Sequence, residues 1–340
     1  MIENPTQIAA MKGPSSDTRV LAAVSPALDR SVPIVVCIPA FRRPRHLRLT
    51  LESLASQRTD RRFAVVIIDN DARDRESITV AAEFLIAGKF AGLCAVEPRQ
   101  GNCYAINTAF EMALATFPDA AHFLMIDDDE VASADWLELM VDAAERTGAD
   151  VVGGPVWPDF DDAMKQGLAR HPAFRPAFEA SGPVPMIYGC GNCLVTRRVF
   201  ARLASPVFDL RFNFLGGGDV DFFTRCRRAG MRFQWVAEAA ISETVPESRT
   251  HPRWLALRGL RIGAINYHVQ RKVARTPWLR LRLLAKVLAL WPLSLFRAAW
   301  LAATEHKALI ALHPVIVAVG GTLALVGIEP QPYRASKIAS

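Results

Sequence analysis

The apolar run His122-Phe-Leu-Met-Ile126 passes without a break into Asp127-Asp-Asp-Glu130. Adjacent carboxylates raise one another's pKa, so their repulsion must be offset by a cation, hydrogen bonds or bulk water. Two readings follow: a solvated turn after a strand, or a divalent-metal site at a strand's carboxyl end, where open α/β sheets bind ligands. Three other polar groups also stand directly after apolar runs. They are Pro39-Ala-Phe-Arg-Arg43, Asp69-Asn-Asp71 and Arg99-Gln-Gly-Asn102. In a parallel sheet those ends share one edge, so groups distant in sequence would converge on one crevice. A hard divalent ion there, Mg²⁺ or Mn²⁺, needs only one or two carboxylates and completes its shell with phosphate oxygens and water. No Walker, GxGxxG or HExxH pattern is present, which argues against P-loop NTPases, dinucleotide enzymes and zincins.

The elements that must position these groups read as βαβ units from Val32 onward, an α/β pattern. Strands are predicted over 34–38, 63–68, 93–96, 122–126, 151–152, 189–195 and 233–236. Helices are predicted over 46–57, 78–87, 103–116, 136–146 and 197–203, with another starting near Asp219 after Gly216-Gly-Gly218. Residues 157–186, rich in Pro, Phe and Ala without a period, read as a long surface excursion and a candidate mobile lid. Residues 1–30 lack a basic-then-apolar signal sequence and read as a polar, disordered arm.

The chain of 340 residues is 51% hydrophobic and carries a net charge of +6, unevenly distributed. Between Glu247 and Glu305 no acidic residue occurs among eleven basic ones, which leaves the rest of the chain net acidic. An anionic partner is expected for that region. Basic residues without interleaved stacking aromatics speak against nucleic acid. Residues 278–301 form a basic, amphipathic stretch suited to a membrane interface, with Trp291 and Trp300. Residues 308–328 lack Asp, Glu, Lys and Arg over a spanning length, although His313, Pro314 and Gly320-Gly321 equally suit a buried helical hairpin. Cys190-Gly-Asn-Cys193 has no second pair or nearby histidine and sits in strand-like surroundings. All six cysteines therefore read as buried, reduced thiols of a cytosolic protein.

Taken in order, Val36-Cys-Ile-Pro-Ala-Phe-Arg-Arg-Pro44, Ile67-Ile-Asp-Asn70, Arg99-Gln-Gly-Asn102 and Met125-Ile-Asp-Asp-Asp-Glu130 resemble the family 2 glycosyltransferases of GT-A fold. Asn192, Arg197-Arg198, Phe208-Asp209 and Gly217-Gly-Asp-Val-Asp-Phe222 echo the family's later signature. Glu243-Thr-Val-Pro-Glu-Ser-Arg249 with Arg253-Trp254 resembles the bacterial exopolysaccharide, succinoglycan-type subgroup. The likeness covers about residues 32–265. It implies a mostly parallel sheet with helices on both faces in a catalytic domain over 31–245. A basic helical region over 246–303, an apolar segment over 304–330 and a tail over 331–340 would follow.

The same resemblance implies roles. Pro39, Ala40, Phe41, Arg42, Asp69 and Asn102 would bind the nucleotide sugar together with Asp127 and Asp128. Asp127 would lie near the ribose and Asp129 on a Mn²⁺ or Mg²⁺ ion that bridges the diphosphate, with Asp127 a second metal ligand. Asp219 would be the general base of an inverting displacement; its bland alternative is a helix N-cap. Asp221, Arg249, Arg253 and Trp254 would face the acceptor or its pyrophosphate. The expected donor is UDP-glucose and the acceptor lipid-linked or polysaccharide, at the cytoplasmic face of the inner membrane. Two departures stand out: Gly218 where the family has Glu, and Ser242 where the subgroup has His, with His251 a possible replacement ligand. The first leaves room for a catalytically silent membrane-associated protein that keeps the fold. A nucleotidyltransferase is the rival of the same fold, but Phe41-Arg-Arg-Pro44 is not the Gly-rich phosphate loop it needs.

Overall fold

Ile34-Val-Val-Cys-Ile38 alternates its side chains between two apolar layers, and every residue of the run is buried. The computed structural model describes residues 19–26, 28–160, 162–305 and 308–328. Its elements in chain order are β1 (Val20–Val24), β2 (Ile34–Ala40), α1 (Pro44–Ala55), β3 (Phe63–Asp69), α2 (Glu76–Ile86), β4 (Ala91–Val96) and α3 (Asn102–Thr116). Then follow β5 (His122–Met125), β6 (Glu130–Ala132), α4 (Trp136–Thr147), β7 (Val151–Gly153), β8 (Val156–Phe160), β9 (Gly182–Val184) and β10 (Cys193–Thr196). The chain continues through α5 (Arg197–Arg202), α6 (Gly218–Arg228), β11 (Phe233–Trp235), β12 (Ile241–Val245), α7 (Pro252–Val273), α8 (Pro277–Glu305) and α9 (Ala308–Leu325).

Among the described residues the strands form a nine-stranded sheet, β1-β4-β3-β2-β5-β10-β7-β11-β9, and a small sheet, β6-β12-β8. The run β4-β3-β2-β5 is parallel, as βαβ crossovers require. The far half is mixed: β10 lies antiparallel to both β5 and β7, and β11 returns parallel to β7. One layer packs Val35, Cys37 and Val66 with Phe110, Phe208 and Phe222. The other packs Val36, Ile38 and Ile67 with Leu47, Leu51 and Trp136. Helices thus cover both faces, and each fully buried large side chain contributes roughly 1.5–3 kcal/mol.

Two sequence expectations are corrected. Residues 20–24, read as part of a disordered arm, form β1 and pair antiparallel with β4. Val20-Leu-Ala-Ala-Val24 is apolar enough to cap a sheet edge, a property hidden by the polar average of the arm. The remainder of that arm up to residue 18, and the tail beyond residue 328, lie outside the described residues. The excursion over 157–186 is not formless either: β8 pairs with β12 and β9 forms the sheet's last strand. Its middle is clamped, with Phe174 stacked on Trp254 at 6.0 Å and His171 edge-on to His313 at 5.0 Å.

The three C-terminal helices pack on one another, and α7 and α9 touch backbone to backbone. A Cβ on Gly263 would stand 2.1 Å from the Val317 carbonyl oxygen, and one on Gly320 would stand 2.0 Å from that of Leu260. Glycine is therefore required where these helices cross. Ile310, Ala311, Ala318 and Ala324 of α9 are buried, whereas α8 leaves Trp278, Leu288, Phe296 and Trp300 exposed. Both helices are long and apolar enough to cross a membrane.

Candidate active site

The parallel register brings the four polar strand ends to one edge. Ala40 lies opposite Asp69, Asp69 opposite Val96, and Cys37 opposite Met125. Asn70 ties two of these ends together: its amide nitrogen donates to the Glu97 and Arg99 carbonyls, and its oxygen accepts from the Gly101 amide at 2.7 Å. Asp69 is fully buried; one oxygen accepts from the Asp71 amide at 2.9 Å and the other has no hydrogen-bond partner. Burial raises its pKa against the opposing pull of that amide and of the Ser77 amide. Pro39 and Ala40 are buried at the end of β2, and Phe41 turns outward with its ring exposed. Arg42 adopts φ 56°, a region that non-glycine residues seldom occupy, and often at functional sites. Its guanidinium pairs with Asp71 at 2.7 Å and lies over the Phe41 ring. Asn102 is exposed at the first turn of α3.

The four acids after β5 are neither equivalent nor a solvated turn. Asp128 accepts from the Phe41 amide at 2.8 Å and from Arg43 at 3.0 Å, so it pins the loop after β2. Burial pushes its carboxyl up to about 6 even with Arg43 and that amide opposing. Glu130 is buried, and its carboxylate accepts from the Asp127 amide at 2.6 Å. It lies opposite Glu243 across β6 and β12, and its pKa is raised by burial and then by Asp127. Asp129 pairs with Arg43 at 2.7 Å and with Arg249 at 3.8 Å. Asp127 is half-buried, and beyond its amide's bond to Glu130 its carboxylate forms no hydrogen bond or ion pair with another described side chain. Its pKa is raised, first by burial and then by Asp129 and Asp128.

Arg43, which compensates two of these acids, is not among the residues to which the resemblance assigns a role. Its only signal was the second Arg of Phe41-Arg-Arg-Pro44. Arg249 also pairs with Glu243. Among the described residues no three His, Cys, Asp or Glu side chains form a metal cage. His251 is exposed at the start of α7, and Ser242 lies opposite Val131 in the small sheet. What remains is a pair of hard carboxylates, one of them unpaired. That set fits an ion that draws most of its ligands from a diphosphate and water.

Asp219 is the second residue of α6, whose N-cap is Gly217 at φ 85°. It is therefore not the N-cap residue, and Gly217 has no side chain with which to cap the helix. Burial raises its pKa, opposed by the amides of Val220 and Asp219 and by Arg258. The buried Cys190 thiol is held high by burial and, after that, by both Asp127 and Asp219. Asp127 and Asp219 therefore both lie within electrostatic reach of the same thiol. A Cβ on Gly218 would meet Cys103 Sγ at 2.9 Å and Phe208 at 3.0 Å, so this packing leaves no room for the family's Glu without a shift.

Three residues expected at the acceptor have other partners or positions as follows. Asp221 is buried and taken up by Arg225 at 2.8 Å and Lys272 at 2.7 Å, so it braces α6 against α7. Trp254 lies between Phe174 and the Arg258 guanidinium, where it clamps the excursion. Arg253 is exposed at the first turn of α7. Lys272 also holds Asp209 at 2.7 Å. Burial works to raise the Asp209 pKa, but Arg211 and Lys272 hold it well below the usual carboxylate range. Lys272→Ala leaves the buried Asp221 carboxylate to Arg225 alone and Asp209 to Arg211 alone. A loss of about 2–3 kcal/mol is expected, below the roughly 3–5 of a fully buried pair because Lys272 keeps partial exposure. Urea denaturation midpoints with the m-value checked measure it.

The chain matches the models for Glycosyl transferase family 2 over residues 35–203 and Glycosyl transferase family group 2 over 122–325. It is 32% identical over 241 residues to the succinoglycan biosynthesis protein ExoM of Rhizobium meliloti, covering 68% of this chain and 72% of that one. A glucosyl-dolichyl phosphate glucuronosyltransferase of Haloferax volcanii is 30% identical over 146 residues, 43% of this chain and 42% of its own. Among solved structures, the Pyrobaculum calidifontis mannosyltransferase PcManGT, in complex with GDP-Man and Mn²⁺, superposes with TM-score 0.57 at 15% identity over 89% of each chain. S. aureus TarS in complex with UDP gives 0.50 at 14% identity over 86% of this chain and 90% of that one. These structural likenesses carry the GT-A fold, and the family models together with ExoM carry the assignment: the chain belongs to the family 2 glycosyltransferases.

Proposed function

We propose that this glycosyltransferase is metal-dependent and inverting, and moves glucose from UDP-glucose to a lipid-linked or polysaccharide acceptor at the cytoplasmic face of the membrane. The observation that carries the reading is the shared surrounding of Asp127 and Asp219, an unpaired acid at the end of β5 and a half-buried acid at the start of α6, about one buried thiol. Phe41 and Arg42 would border the nucleotide pocket with Pro39 and Ala40 behind them, and the unpartnered oxygen of buried Asp69 would meet the base once uncovered. Asp127 and Asp129 would hold the Mn²⁺ or Mg²⁺ ion, which supplies charge neutralisation for the departing diphosphate. Asp128 and Arg43 keep the loop after β2 in register with Asp129.

Asp219 takes the proton of the acceptor hydroxyl as that oxygen bonds to the anomeric carbon. The bond from that carbon to the diphosphate breaks on the opposite face, so a single displacement inverts the centre. A carboxyl with its pKa raised by burial suits a general base better than an ordinary Asp, since proton affinity and ionisation are better balanced near neutral pH. Arg249, paired with Asp129, is placed to meet diphosphate oxygens, which a guanidinium binds bidentately.

The support for membrane attachment is the apolar exposure of α8 together with the absence of acidic residues between Glu247 and Glu305. Purified protein incubated with radiolabelled UDP-glucose, Mn²⁺ and bacterial membrane lipids should yield a lipid-extractable labelled product. GDP-mannose and UDP-glucuronic acid should yield less. Transfer from another donor alone would overturn the glucose assignment, and activity unchanged by EDTA would overturn the metal.

A further inference from the structure

A cleft of about 610 Å³ opens between the C-terminal end of α7 and the start of α8, remote in sequence from the acidic cluster. Arg211, Arg271, Lys272, Arg275 and Arg280 line it, and no acidic residue among the described ones does. Two of these cations are already committed: Arg211 pairs with Asp209, and Lys272 with Asp209 and Asp221. Arg271, Arg275 and Arg280 form no ion pair with a described residue. Three unpaired guanidiniums around one cavity repel one another unless an anion sits between them, and their forks suit phosphate oxygens.

The chemistry beside the cleft narrows the anion. Trp278, two residues from Arg280, is 69% exposed, and Leu281, Leu284, Leu288 and Leu295 continue a large exposed apolar face along α8. Apolar surface on that scale, beginning at the cleft's rim, is costly in water and favourable against acyl chains. A free phosphate or a nucleotide would use the cations but leave that face uncovered. A neutral bilayer would cover the face but leave the cations unmet.

We propose that the cleft is a headgroup site for an anionic phospholipid. Arg271, Arg275 and Arg280 hold the phosphodiester, and Trp278 with the leucine face of α8 beds into the acyl boundary. The proposal rests on the membrane attachment put forward above and adds the class of lipid and the residues that choose it. It also orients the enzyme, because α7 runs from the headgroup cleft at Lys272 to Arg249 and the acidic cluster just before its other end. Each basic residue at an anionic surface contributes about fivefold in affinity, so three give on the order of 100-fold.

Sedimentation of the full chain with phosphatidylcholine vesicles, and with vesicles in which a third of the lipid is phosphatidylglycerol, tests this without any sugar donor. The wild type should bind the anionic vesicles roughly 100-fold more tightly. The triple variant Arg271→Gln, Arg275→Gln, Arg280→Gln should bind both alike, at the wild-type level for phosphatidylcholine and with an unchanged melting temperature. Arg282→Gln with Arg297→Gln, basic residues of α8 outside the cleft, should keep most of the preference. Equal loss per charge in the two variants would replace the site by diffuse attraction and overturn it. Wild-type binding of inorganic phosphate at micromolar concentration, abolished in the triple variant, would reassign the cleft to a free anion. Failure of the wild type to bind either vesicle would sink membrane attachment as well, while the donor assay would still report on glycosyl transfer.

Discussion

Asp219→Asn is expected to lower glycosyl transfer by about 10³-fold while leaving the affinity for UDP within about twofold of wild type. The amide keeps the shape and the position in the first turn of α6, but it cannot accept the acceptor's proton. Gly217 is the N-cap, but the Asp219 carboxylate accepts from the first-turn amides of Val220 and Asp219, so the substitution weakens those bonds and a stability loss of up to about 1 kcal/mol is expected. An effect on kcat with KM preserved, far larger than so small a stability loss accounts for, is thus the signature of the base. The pH profile gives a second readout. A base acts only when deprotonated, so the rate falls as pH falls through its pKa. Burial has raised that pKa, which places the acid limb above the ordinary Asp range. Asp219→Glu should restore part of the activity with a displaced acid limb. Transfer by Asp219→Asn equal to wild type would remove Asp219 from the chemistry.

Asp129→Ala should abolish the Mn²⁺-dependent part of UDP binding and lower transfer by on the order of 10³-fold, because the diphosphate charge is then no longer neutralised where it develops. The physical reason lies in the uneven compensation of the acids. Asp128 and Glu130 spend oxygens on the Phe41 and Asp127 amides, whereas the Asp127 carboxylate has no partner among the described residues and that of Asp129 has only arginines. Removing Asp129 also removes one of the charges that raise the Asp127 pKa. The metal-free variant should therefore melt no lower than wild type, although it has lost a salt bridge. Calorimetric titration of UDP with Mn²⁺ and with EDTA, beside a thermal melt, separates the two effects. Mn²⁺-dependent UDP binding intact in Asp129→Ala would refute the assignment. Asp128→Asn is the contrasting variant: it loosens the Phe41 and Arg43 contacts and should raise the KM for donor more than it lowers kcat.

Much of this molecule was legible before any coordinates. Short apolar runs alternating with helical periods imply parallel strands, and parallel strands place their carboxyl ends on one edge. Asp69, Asp127 and the segment from Pro39 to Arg43 could therefore be gathered at one crevice from spacing alone, and the ordered motifs named the family. Local chemistry sufficed because each of these groups sits directly after its own strand.

Contacts between distant segments followed a different rule. Arg249 reaches Asp129 and Lys272 reaches Asp221 only because α6, α7 and the small sheet fold against the strand ends, and no local period records such pairings. Asp221 therefore reads as an acceptor residue in the sequence while the fold gives it two cations to hold, and Arg43 reads only as part of a polar strand end although it compensates two acids. The three-residue strand β9 escaped notice because so short a segment has no periodicity, and β11 pairs with it from about fifty residues away. In the same way the excess of basic residues after Glu247 could be counted from the sequence. Only the packing of α7 and α8 decided that Lys272 is neutralised inside the protein while Arg271, Arg275 and Arg280 face an open cleft, since charge is a property of residues and compensation a property of distance.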